Sequence, residues 1–331
     1  MLKRYLLILI LVLALTLSAC APAPPAETEG ELTPVTLVLD WTANVNHIGA
    51  YVAQAQGWFT EAGLAVNIIE PGDNLALQLV AAGQAQFGYS YQEEVTYARL
   101  AGAPAVSVAA VIIGNTCCFA APVEKNISSV ADFQGRVYGG WGGQVETDLI
   151  DYLLEQQGLV PDVTSVNLGS SDFFAATSPQ GGVDFSWIFY GTTGAEAEAR
   201  GLELDVIMLR DLDPAFDYYT PVIVAEPGWL ADADNAATTR AFLAALSRGY
   251  EYAAAEPAAA AELLCAQVEG LDAQQVAIGA EWLAGEWTGQ AESWGQQELS
   301  VWQDFAAWLY ERGLIETQFD AASAFTNEYL E

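Results

Sequence analysis

The hydrophobic positions along the chain alternate between short apolar runs and stretches of helical spacing. Short runs rich in β-branched side chains are typical of buried strands, whereas an apolar residue at every third or fourth position is typical of helices. The runs predict strands at 35–39, 64–69, 86–90, 106–113, 163–168, 184–189 and 204–209, and a further extended segment at 219–225. The helical spacing predicts helices at 49–58, 75–82, 145–157, 241–255, 258–268 and 299–312. This repeated alternation predicts an α/β fold with mostly parallel strands.

The strand–helix units fall into two sets, and the chain ends in a helical region. If the terminal helices pack against the first set, the chain crosses between the sets twice, near 119–122 and 220–224. The predicted architecture is a hinged clamshell of two lobes with a cleft between them. Lobe 1 is expected to hold residues 34–120 and 223–331, and lobe 2 residues 121–222.

The first residues have the pattern of an export signal. Lys3 and Arg4 precede an apolar stretch over 5–16, and small residues lead to Cys20. This stretch is too short, and wrongly flanked, for a membrane-spanning helix. Residues 1–19 are therefore expected to be a signal peptide.

A cysteine directly after such a site resembles the bacterial lipoprotein signal, in which the thiol is acylated. We expect Cys20 to carry the lipid, residues 20–33 to form a flexible Pro-rich linker, and the protein to lie on the extracytoplasmic face of the cell membrane. The alternative is an ordinary secretory signal with an incidental cysteine.

Composition narrows the possible partners. The chain has 43 acidic and 10 basic residues, a net charge of −33 that argues against nucleic acid and anionic lipid as partners. Contact with the membrane is expected through the lipid anchor only. Cys117 and Cys118 are adjacent and lack the spacer of usual zinc sites, so no metal site is predicted, and two small semi-buried residues are the favoured interpretation. With Cys265 the count after the anchor is odd, which leaves a free thiol or a strained bridge between neighbours.

Aromatic and amide side chains follow several predicted strands, where ligands bind in open α/β sheets. Their flat faces and paired donors and acceptors suit a planar heterocycle held by stacking and hydrogen bonds. His47, the only histidine, is as a rule more often a helix cap or a packed polar residue than a catalyst. The aromatic residues could instead belong to the core or to the interface between lobes. The candidate ligand-binding residues are Trp41, Asn44, Asn46, His47, Tyr91, Gln92, Asn115, Thr116, Trp141, Gly142, Phe189 and Tyr190.

A glycine-rich loop at Gly139–Gly143 precedes a predicted helix. Such a loop could hold a phosphate, but it has no nearby Lys or Arg before the helix and no GK[ST] ending, which argues against a nucleotide site. Trp141 within it suits stacking on a ring. The tryptophans of the helical region are instead expected to be packing residues: Trp282, Trp287, Trp294, Trp302 and Trp308.

Motifs over nearly the whole chain resemble one family. They are Leu39-Asp40-Trp41 with Asn44, Asn46-His47 and Gly49, then 51–53, 57–59, 88–92, 139–143, 172–174, 184–191 and 324–327. These segments look like those of the lipoproteins that bind the pyrimidine precursor of thiamine, or related compounds, for ABC importers. The resemblance implies a type II periplasmic-binding fold, a monomer that closes around a ligand, no cofactor, and delivery to ABC permease and ATPase subunits.

Two departures from the pyrimidine binders bear on the ligand. The segment Phe189–Thr193 has no carboxylate until Glu196, and 138–142 reads Tyr-Gly-Gly-Trp-Gly where those proteins tend to have a Gly-Tyr-Pro-Gly loop. Both favour a larger neutral ring, so riboflavin is the predicted ligand. Formylaminopyrimidine or a related thiamine precursor is the alternative.

Two other classes of function were weighed. A ligand-presenting sensor lipoprotein would have the same clamshell. A fungal pyrimidine synthase with a similar fold uses a lysine-bound pyridoxal cofactor, but the chain beyond the signal has only Lys125 and lacks that enzyme's cysteine cluster. The chain is therefore expected not to be an enzyme.

Overall fold

A computed structural model describes residues 31–72, 74–169, 172–289 and 293–330. The signal segment, Cys20 and most of the linker lie outside these residues. From Thr33 onward the described chain forms one compact unit. Within the described ranges, no helix is both long enough and apolar enough to cross a membrane.

Strands of the described chain form two five-stranded sheets. In chain order they are β1 (Thr33–Val38), β2 (Leu64–Ile69), β3 (Phe87–Ser90), β4 (Val106–Ala110), β5 (Cys117–Pro122), β6 (Arg136–Gly140), β7 (Val163–Asn167), β8 (Phe185–Phe189), β9 (Leu204–Met208) and β10 (Val222–Ala225). The first sheet has the order β2-β1-β3-β10-β4 and the second β7-β6-β8-β5-β9. In each sheet four strands run in the same direction and one runs opposite to them, β10 in the first sheet and β5 in the second, which confirms the predicted α/β clamshell and its mostly parallel pattern.

Helices cover both sheets and make up most of the chain after β10. They are α1 (Ile48–Ala55), α2 (Trp58–Glu61), α3 (Ala76–Ala81), α4 (Gln92–Leu100), α5 (Gln144–Gln156), α6 (Phe173–Thr177), α7 (Ala195–Ala199), α8 (Pro227–Leu230), α9 (Ala233–Ala255), α10 (Pro257–Gln267), α11 (Ala273–Thr288) and α12 (Leu299–Glu311). A π-helical turn at Tyr190–Gly194 leads from β8 into α7.

The two crossings between lobes lie earlier in the chain than the sequence predicted. Strand β5 pairs with β8 and β9 of the second sheet, so residues 117–120 belong to lobe 2 rather than lobe 1. The chain therefore leaves lobe 1 between Ala110 and Cys117, and it returns between Phe216 and Val222. The expected lobe boundary at 120/121 is corrected on this ground, because a strand inside a sheet cannot serve as a hinge.

Lobe 1 is built on a close crossing of α1 and α9. A Cβ atom placed on Gly249 would lie 2.0 Å from the carbonyl oxygen of Gly49, so the two backbones touch where neither residue has a side chain. Beside this crossing the hydroxyl of Tyr250 donates to the carbonyl of Asn46 at 2.6 Å. The crossing thereby fixes the loop that follows β1.

The last two long helices join the lobes. Helix α11 buries Leu283 and Trp287 in the core of lobe 1, while a Cβ on Gly279 would lie 2.3 Å from the carbonyl oxygen of Gly191 in lobe 2. Helix α12 places Phe305 and Trp308 in the core of lobe 2. Four of the five helical-region tryptophans are buried, as predicted: Trp287, Trp294, Trp302 and Trp308.

An ion pair reinforces the contact between α11 and lobe 2. The guanidinium of Arg210, just after β9, donates from Nη1 to Glu286 Oε2 at 2.6 Å and from Nη2 to Oε1 at 2.9 Å. Two parallel hydrogen bonds of this kind fix orientation as well as distance. The two lobes are thus held together at a face formed by α11.

Candidate functional site

The lobes meet at the carboxyl ends of their parallel strands. Tyr91 directly follows β3 of lobe 1, Phe189 ends β8 of lobe 2, and their ring centroids lie 6.0 Å apart. Both side chains are half-buried. Ligands of open α/β sheets bind at this edge, so the cleft between Tyr91 and Phe189 is the candidate site.

The loop after β1 is organised by the only histidine. His47 is fully buried, its Nδ1 accepts from the backbone N–H of Asn44 at 3.1 Å, and its Nε2 lies 2.6 Å from Asp40 Oδ1. Because Nδ1 accepts a hydrogen bond, Nε2 is the ring nitrogen that donates to Asp40. His47 is thus a packed capping residue, the more common of the two roles weighed for a lone histidine.

Asp40 is the acidic centre of this loop. Burial acts to raise the pKa of its carboxyl, but the electrostatic attraction and hydrogen bond of His47, with a hydrogen bond from Tyr91, outweigh burial and leave the pKa below its ordinary value. The carboxylate therefore stays ionised and orients the Tyr91 ring. Trp41 comes next in the chain and is 56% exposed, so its flat face is available to a ligand.

The two asparagines of the loop mainly shape its backbone. Asn44 Oδ1 accepts from the N–H of Asn46 at 3.0 Å, and Asn44 Nδ2 donates to the carbonyl of Thr42 at 2.9 Å. Asn46 is buried. Both residues support the loop that carries Trp41.

Two glutamates at the start of α4 lie next to Tyr91 in the chain, and one of them reaches the crossings between the lobes. Glu93 interacts with the Tyr218 hydroxyl and lies near Cys117, where the chain passes between lobes. Glu94 Oε2 accepts from the Ser90 hydroxyl at 2.5 Å. Their other oxygens, Glu93 Oε2 and Glu94 Oε1, are buried and have no hydrogen-bond partner among the residues that the structure describes.

The pKa values of these two carboxyl groups reflect their burial. Burial raises the pKa of Glu93 to about 8, with a smaller contribution from the neighbouring charge of Glu94. Burial likewise raises the pKa of Glu94, against the hydrogen bond from Ser90. Sequence reasoning missed both residues, because acids in the first turn of a helix are an ordinary capping pattern.

Three predicted ligand residues instead hold the crossings in place. Gln92 is fully buried, accepts from the N–H of Tyr219 at 3.0 Å and donates to the carbonyl of Val301 at 3.1 Å. Asn115 is also fully buried, accepts from the N–H of Cys117 and donates to the carbonyl of Phe216, both at 2.8 Å.

Thr116, the third of these residues, is buried, and its carbonyl accepts from the N–H of Tyr190. The amide groups of Gln92 and Asn115 thus bond the backbone at the crossings. That these three side chains also contact a ligand stays a prediction.

Of the two aromatic residues at the end of β8, one lies at the cleft and the other at the contact between the lobes. Phe189 faces Tyr91 across the cleft. Tyr190 lies against Trp282 of α11, with ring centroids 4.7 Å apart, and so belongs to the contact between lobes. Trp282 is the one helical-region tryptophan that is only partly buried.

The glycine-rich loop of lobe 2 ends β6 at the same edge as β8. Trp141 is 50% exposed, and Gly142 has a φ of +84°, which favours glycine. The carboxylate of Glu146 accepts from the N–H of Trp141 at 3.1 Å and from the hydroxyl of Tyr138 at 3.3 Å. Burial raises the pKa of Glu146, against these hydrogen bonds and those from Gly142 and Gly143.

A cavity of about 290 Å³ adjoins this loop. Its walls come from the loop itself, the first turn of α5 and the end of β7. The lining residues include Tyr138, Gly140, Gly142, Glu146 and Asn167.

The cysteines carry no chemistry that the site needs. Cys117 and Cys118 are buried free thiols on β5, and burial raises the pKa of both. Cys265 is a partly buried free thiol on α10. The described residues hold no cluster of His, Cys, Asp and Glu that could bind a metal ion.

Comparison with known proteins gives the family. The family model described as "NMT1/THI5 like" matches residues 44–260. The formylaminopyrimidine-binding protein of Halalkalibacterium halodurans is 27% identical over 316 residues, which cover 89% of this chain and 92% of the relative. A protein of Legionella pneumophila named 4-amino-5-hydroxymethyl-2-methylpyrimidine phosphate synthase is 28% identical over 128 residues, 38% of this chain and 40% of the relative.

Solved structures confirm the fold. The periplasmic aliphatic sulphonate-binding protein SsuA of Escherichia coli superposes with a TM-score of 0.67 at 19% identity, covering 88% of this chain and 91% of that one. This likeness confirms the two-lobe periplasmic-binding fold. Since the family model spans more than half of the sequence, the chain belongs to the NMT1/THI5-like family.

Proposed function

We propose that this protein is an extracytoplasmic solute-binding protein of an ABC importer and that its ligand is an aminopyrimidine precursor of thiamine, of the formylaminopyrimidine type. The observation that carries the proposal is the pair of buried carboxyl oxygens, Glu93 Oε2 and Glu94 Oε1, without a partner among the described residues. Buried acceptors of this kind are costly unless a donor reaches them. An amino group on a flat ring is such a donor.

The raised pKa of Glu93 strengthens the match with an aminopyrimidine. A protonated carboxyl donates its O–H to a ring nitrogen and accepts from the adjacent amino group through its other oxygen. An ionised carboxylate accepts from both groups when the ring is protonated. One side chain thus complements this edge of the ring in either protonation state.

This proposal replaces riboflavin with the alternative ligand. The riboflavin prediction rests on two departures: Phe189–Thr193 has no carboxylate until Glu196, and 138–142 reads Tyr-Gly-Gly-Trp-Gly. Glu93 and Glu94 of α4 offer carboxyl groups from lobe 1 instead, so the lack of a carboxylate in that segment of lobe 2 does not argue against a pyrimidine. The relative that matches nearly the whole chain is a formylaminopyrimidine-binding protein, which supports the same ligand class.

The geometry argues against a synthase that holds its cofactor on a lysine. Lys125, the one lysine in the described part of the chain, pairs with Asp184 at 3.1 Å. It follows the end of β5, whereas the start of β5 at Cys117 lies beside Phe189 at the cleft. A β-strand rises about 3.3 Å per residue, so the whole strand separates this amine from the site.

Binding is proposed to follow the clamshell mechanism. The ligand enters between Trp41 and the carboxyl groups of lobe 1 and the aromatic residues of lobe 2, and its contacts with both lobes favour the closed state. The closed complex then delivers the ligand to the permease and ATPase subunits. Acylation of Cys20 would keep the protein at the extracytoplasmic face, and this anchor is also part of the proposal.

Fluorescence titration with two ligands tests the proposal. Formylaminopyrimidine should change the tryptophan emission with a micromolar or lower dissociation constant, and riboflavin should bind much more weakly. Glu94→Gln should weaken formylaminopyrimidine binding at least about tenfold, since it removes an acceptor from a buried polar contact. The exposed Glu124→Gln is the matched control. Tight riboflavin binding without pyrimidine binding would overturn the assignment.

A further inference from the structure

The glycine-rich loop of lobe 2 has the geometry of an anion site, but a side chain of the chain itself occupies it. Backbone N–H groups at the start of a helix attract phosphates and carboxylates. Here the N–H of Trp141 donates to the carboxylate of Glu146, at the start of α5, and the N–H groups of Gly142 and Gly143 act on the same carboxylate by lowering its pKa.

The position of this carboxylate is enforced by contact. A Cβ atom on Gly140 would lie 2.1 Å from Glu146 Oε2, so the carboxylate rests directly on the loop backbone. The hydroxyl of Tyr138 donates to the same oxygen at 3.3 Å. A glutamate that only capped its helix would need neither contact.

The surroundings also disfavour a second anion. Among the described residues that line the adjoining cavity of about 290 Å³, none is a lysine or an arginine. The loop ends β6, which runs parallel to β8, so it lies at the edge where Phe189 meets Tyr91 of lobe 1. A phosphate on a ligand in the cleft would meet the negative charge of Glu146 rather than free N–H groups.

We infer that Glu146 is a specificity-determining residue that fills the anion-binding loop and so restricts the cleft to unphosphorylated pyrimidines. The inference rests on the proposed function for the identity of the ring. The rejected class, a phosphate monoester, follows from the loop alone.

Calorimetric titration of the wild-type protein and of Glu146→Ala tests the inference. The probes are 4-amino-5-hydroxymethyl-2-methylpyrimidine and its phosphate ester. The wild-type protein should bind the ester at least about a hundredfold more weakly, because juxtaposed like charges cost several kcal/mol. In Glu146→Ala, the ratio of the dissociation constants for the ester and the free pyrimidine should fall at least about tenfold.

Asp148→Ala is the matched control. Asp148 lies in the first turns of α5 and accepts a hydrogen bond from Gln144. Its replacement removes one negative charge, as Glu146→Ala does, but leaves the Glu146 side chain in the loop. The ratio of the two affinities should stay within about twofold of the wild-type value. Equal affinities of the wild-type protein for both probes, or an equal effect of the two variants, would overturn the inference.

A third probe separates this inference from the proposed function. If the wild-type protein binds neither pyrimidine, the proposed function fails, and thermal shifts with millimolar inorganic phosphate decide about the loop. A phosphate-dependent shift in Glu146→Ala that is absent from the wild-type protein supports the inference, and its absence overturns it. If the alanine variant does not fold, Glu146→Gln replaces it in the affinity comparison, where the loss of the negative charge should still reduce the preference for the unphosphorylated probe; no such reduction overturns the inference.

Discussion

The buried carboxyl group of Glu93 makes the stability of the folded protein depend on pH. Its folded-state pKa is about 8, against an ordinary value of 4.5, chiefly because the carboxyl is buried. Between these values the folded protein keeps a proton that the unfolded chain has released, so the free energy of unfolding falls as the pH rises from about 4.5 to about 8. Above that range this contribution levels off.

Urea denaturation of the ligand-free protein at pH 5, 6, 7 and 8 checks this expectation. Glu93→Gln should flatten the decline, with a residual slope from Glu94, whose pKa is also raised. Glu124→Gln, at an exposed position, should keep the wild-type slope. An unchanged slope in Glu93→Gln would show that Glu93 is not buried in the folded state.

Trp41 is the aromatic residue best placed to stack on a ring. It is 56% exposed and follows the Asp40 that is fixed by His47. Trp41→Ala should weaken ligand binding at least about tenfold, because stacking contributes about 0.5–1.5 kcal/mol beyond the lost apolar burial. Calorimetric titration should show this loss of affinity, and thermal unfolding should show little change in stability. Tyr310→Ala, at another exposed aromatic residue, should bind like the wild type.

For single residues, the sequence predicts which side chains follow the strands better than it predicts what those side chains contact. Trp41 and Trp141 are exposed near strand ends, as the pattern predicted. Gln92 and Asn115 follow the same pattern, yet their amides bond backbone groups that are 127 and 101 residues away. The sequence around Gln92 and Asn115 does not indicate such distant partners. The sequence around Glu93 likewise does not indicate that its carboxyl group is buried.

Helix α11 shows how one element joins both lobes, and two of its glycines provide a matched test. Gly279→Ala would place a Cβ 2.3 Å from the carbonyl oxygen of Gly191, whereas a Cβ at Gly285 meets nothing within 4 Å. Gly285→Ala should stabilise the protein by about 0.5–1 kcal/mol through helix propensity. Gly279→Ala should destabilise it by about 1–3 kcal/mol, the range for an overpacked contact. Thermal unfolding of both variants measures the difference, and an equal effect would contradict the observed packing.

The bounds of helices and strands agree with the sequence prediction where one face of the element is buried. The predicted strand 64–69 is β2, and the predicted helix 145–157 is α5 to within one residue at each end. Helix α11 was missed because it contacts both lobes and so lacks a single apolar face. Strand β5 is rich in Ala and Cys rather than in β-branched residues, so its sequence does not predict a strand.

At the scale of the whole molecule, the ion pair between Arg210 and Glu286 links lobe 2 to α11. Arg210→Gln should lower the free energy of unfolding by about 1–2 kcal/mol, since two charge-assisted hydrogen bonds are lost. It should also speed ligand release, because the lobes separate more readily. Arg240→Gln, which breaks a more exposed pair with Glu328, should change stability by less than about 0.5 kcal/mol. Stopped-flow release and denaturation together check both parts, and identical behaviour of the two variants would contradict the link.

The clamshell was predictable from the sequence, but its hinge was not. Two sets of strand–helix units followed by helices imply two lobes, and the described chain has them. The places where the chain crosses depend on which sheet receives β5 and β10, and that choice is made by strand pairing across long sequence distances. The same pairing brings the second crossing beside Glu93 of α4, where the Tyr218 hydroxyl interacts with its carboxyl group.

A crystal structure of the protein grown with formylaminopyrimidine tests the central claim most directly. The account predicts the ring between the lobes, with its amino group on a carboxyl oxygen of Glu93 or Glu94 and its face near Trp41. Density for the ring anywhere outside this cleft, or in the cleft without a contact to either carboxyl group, would contradict the account.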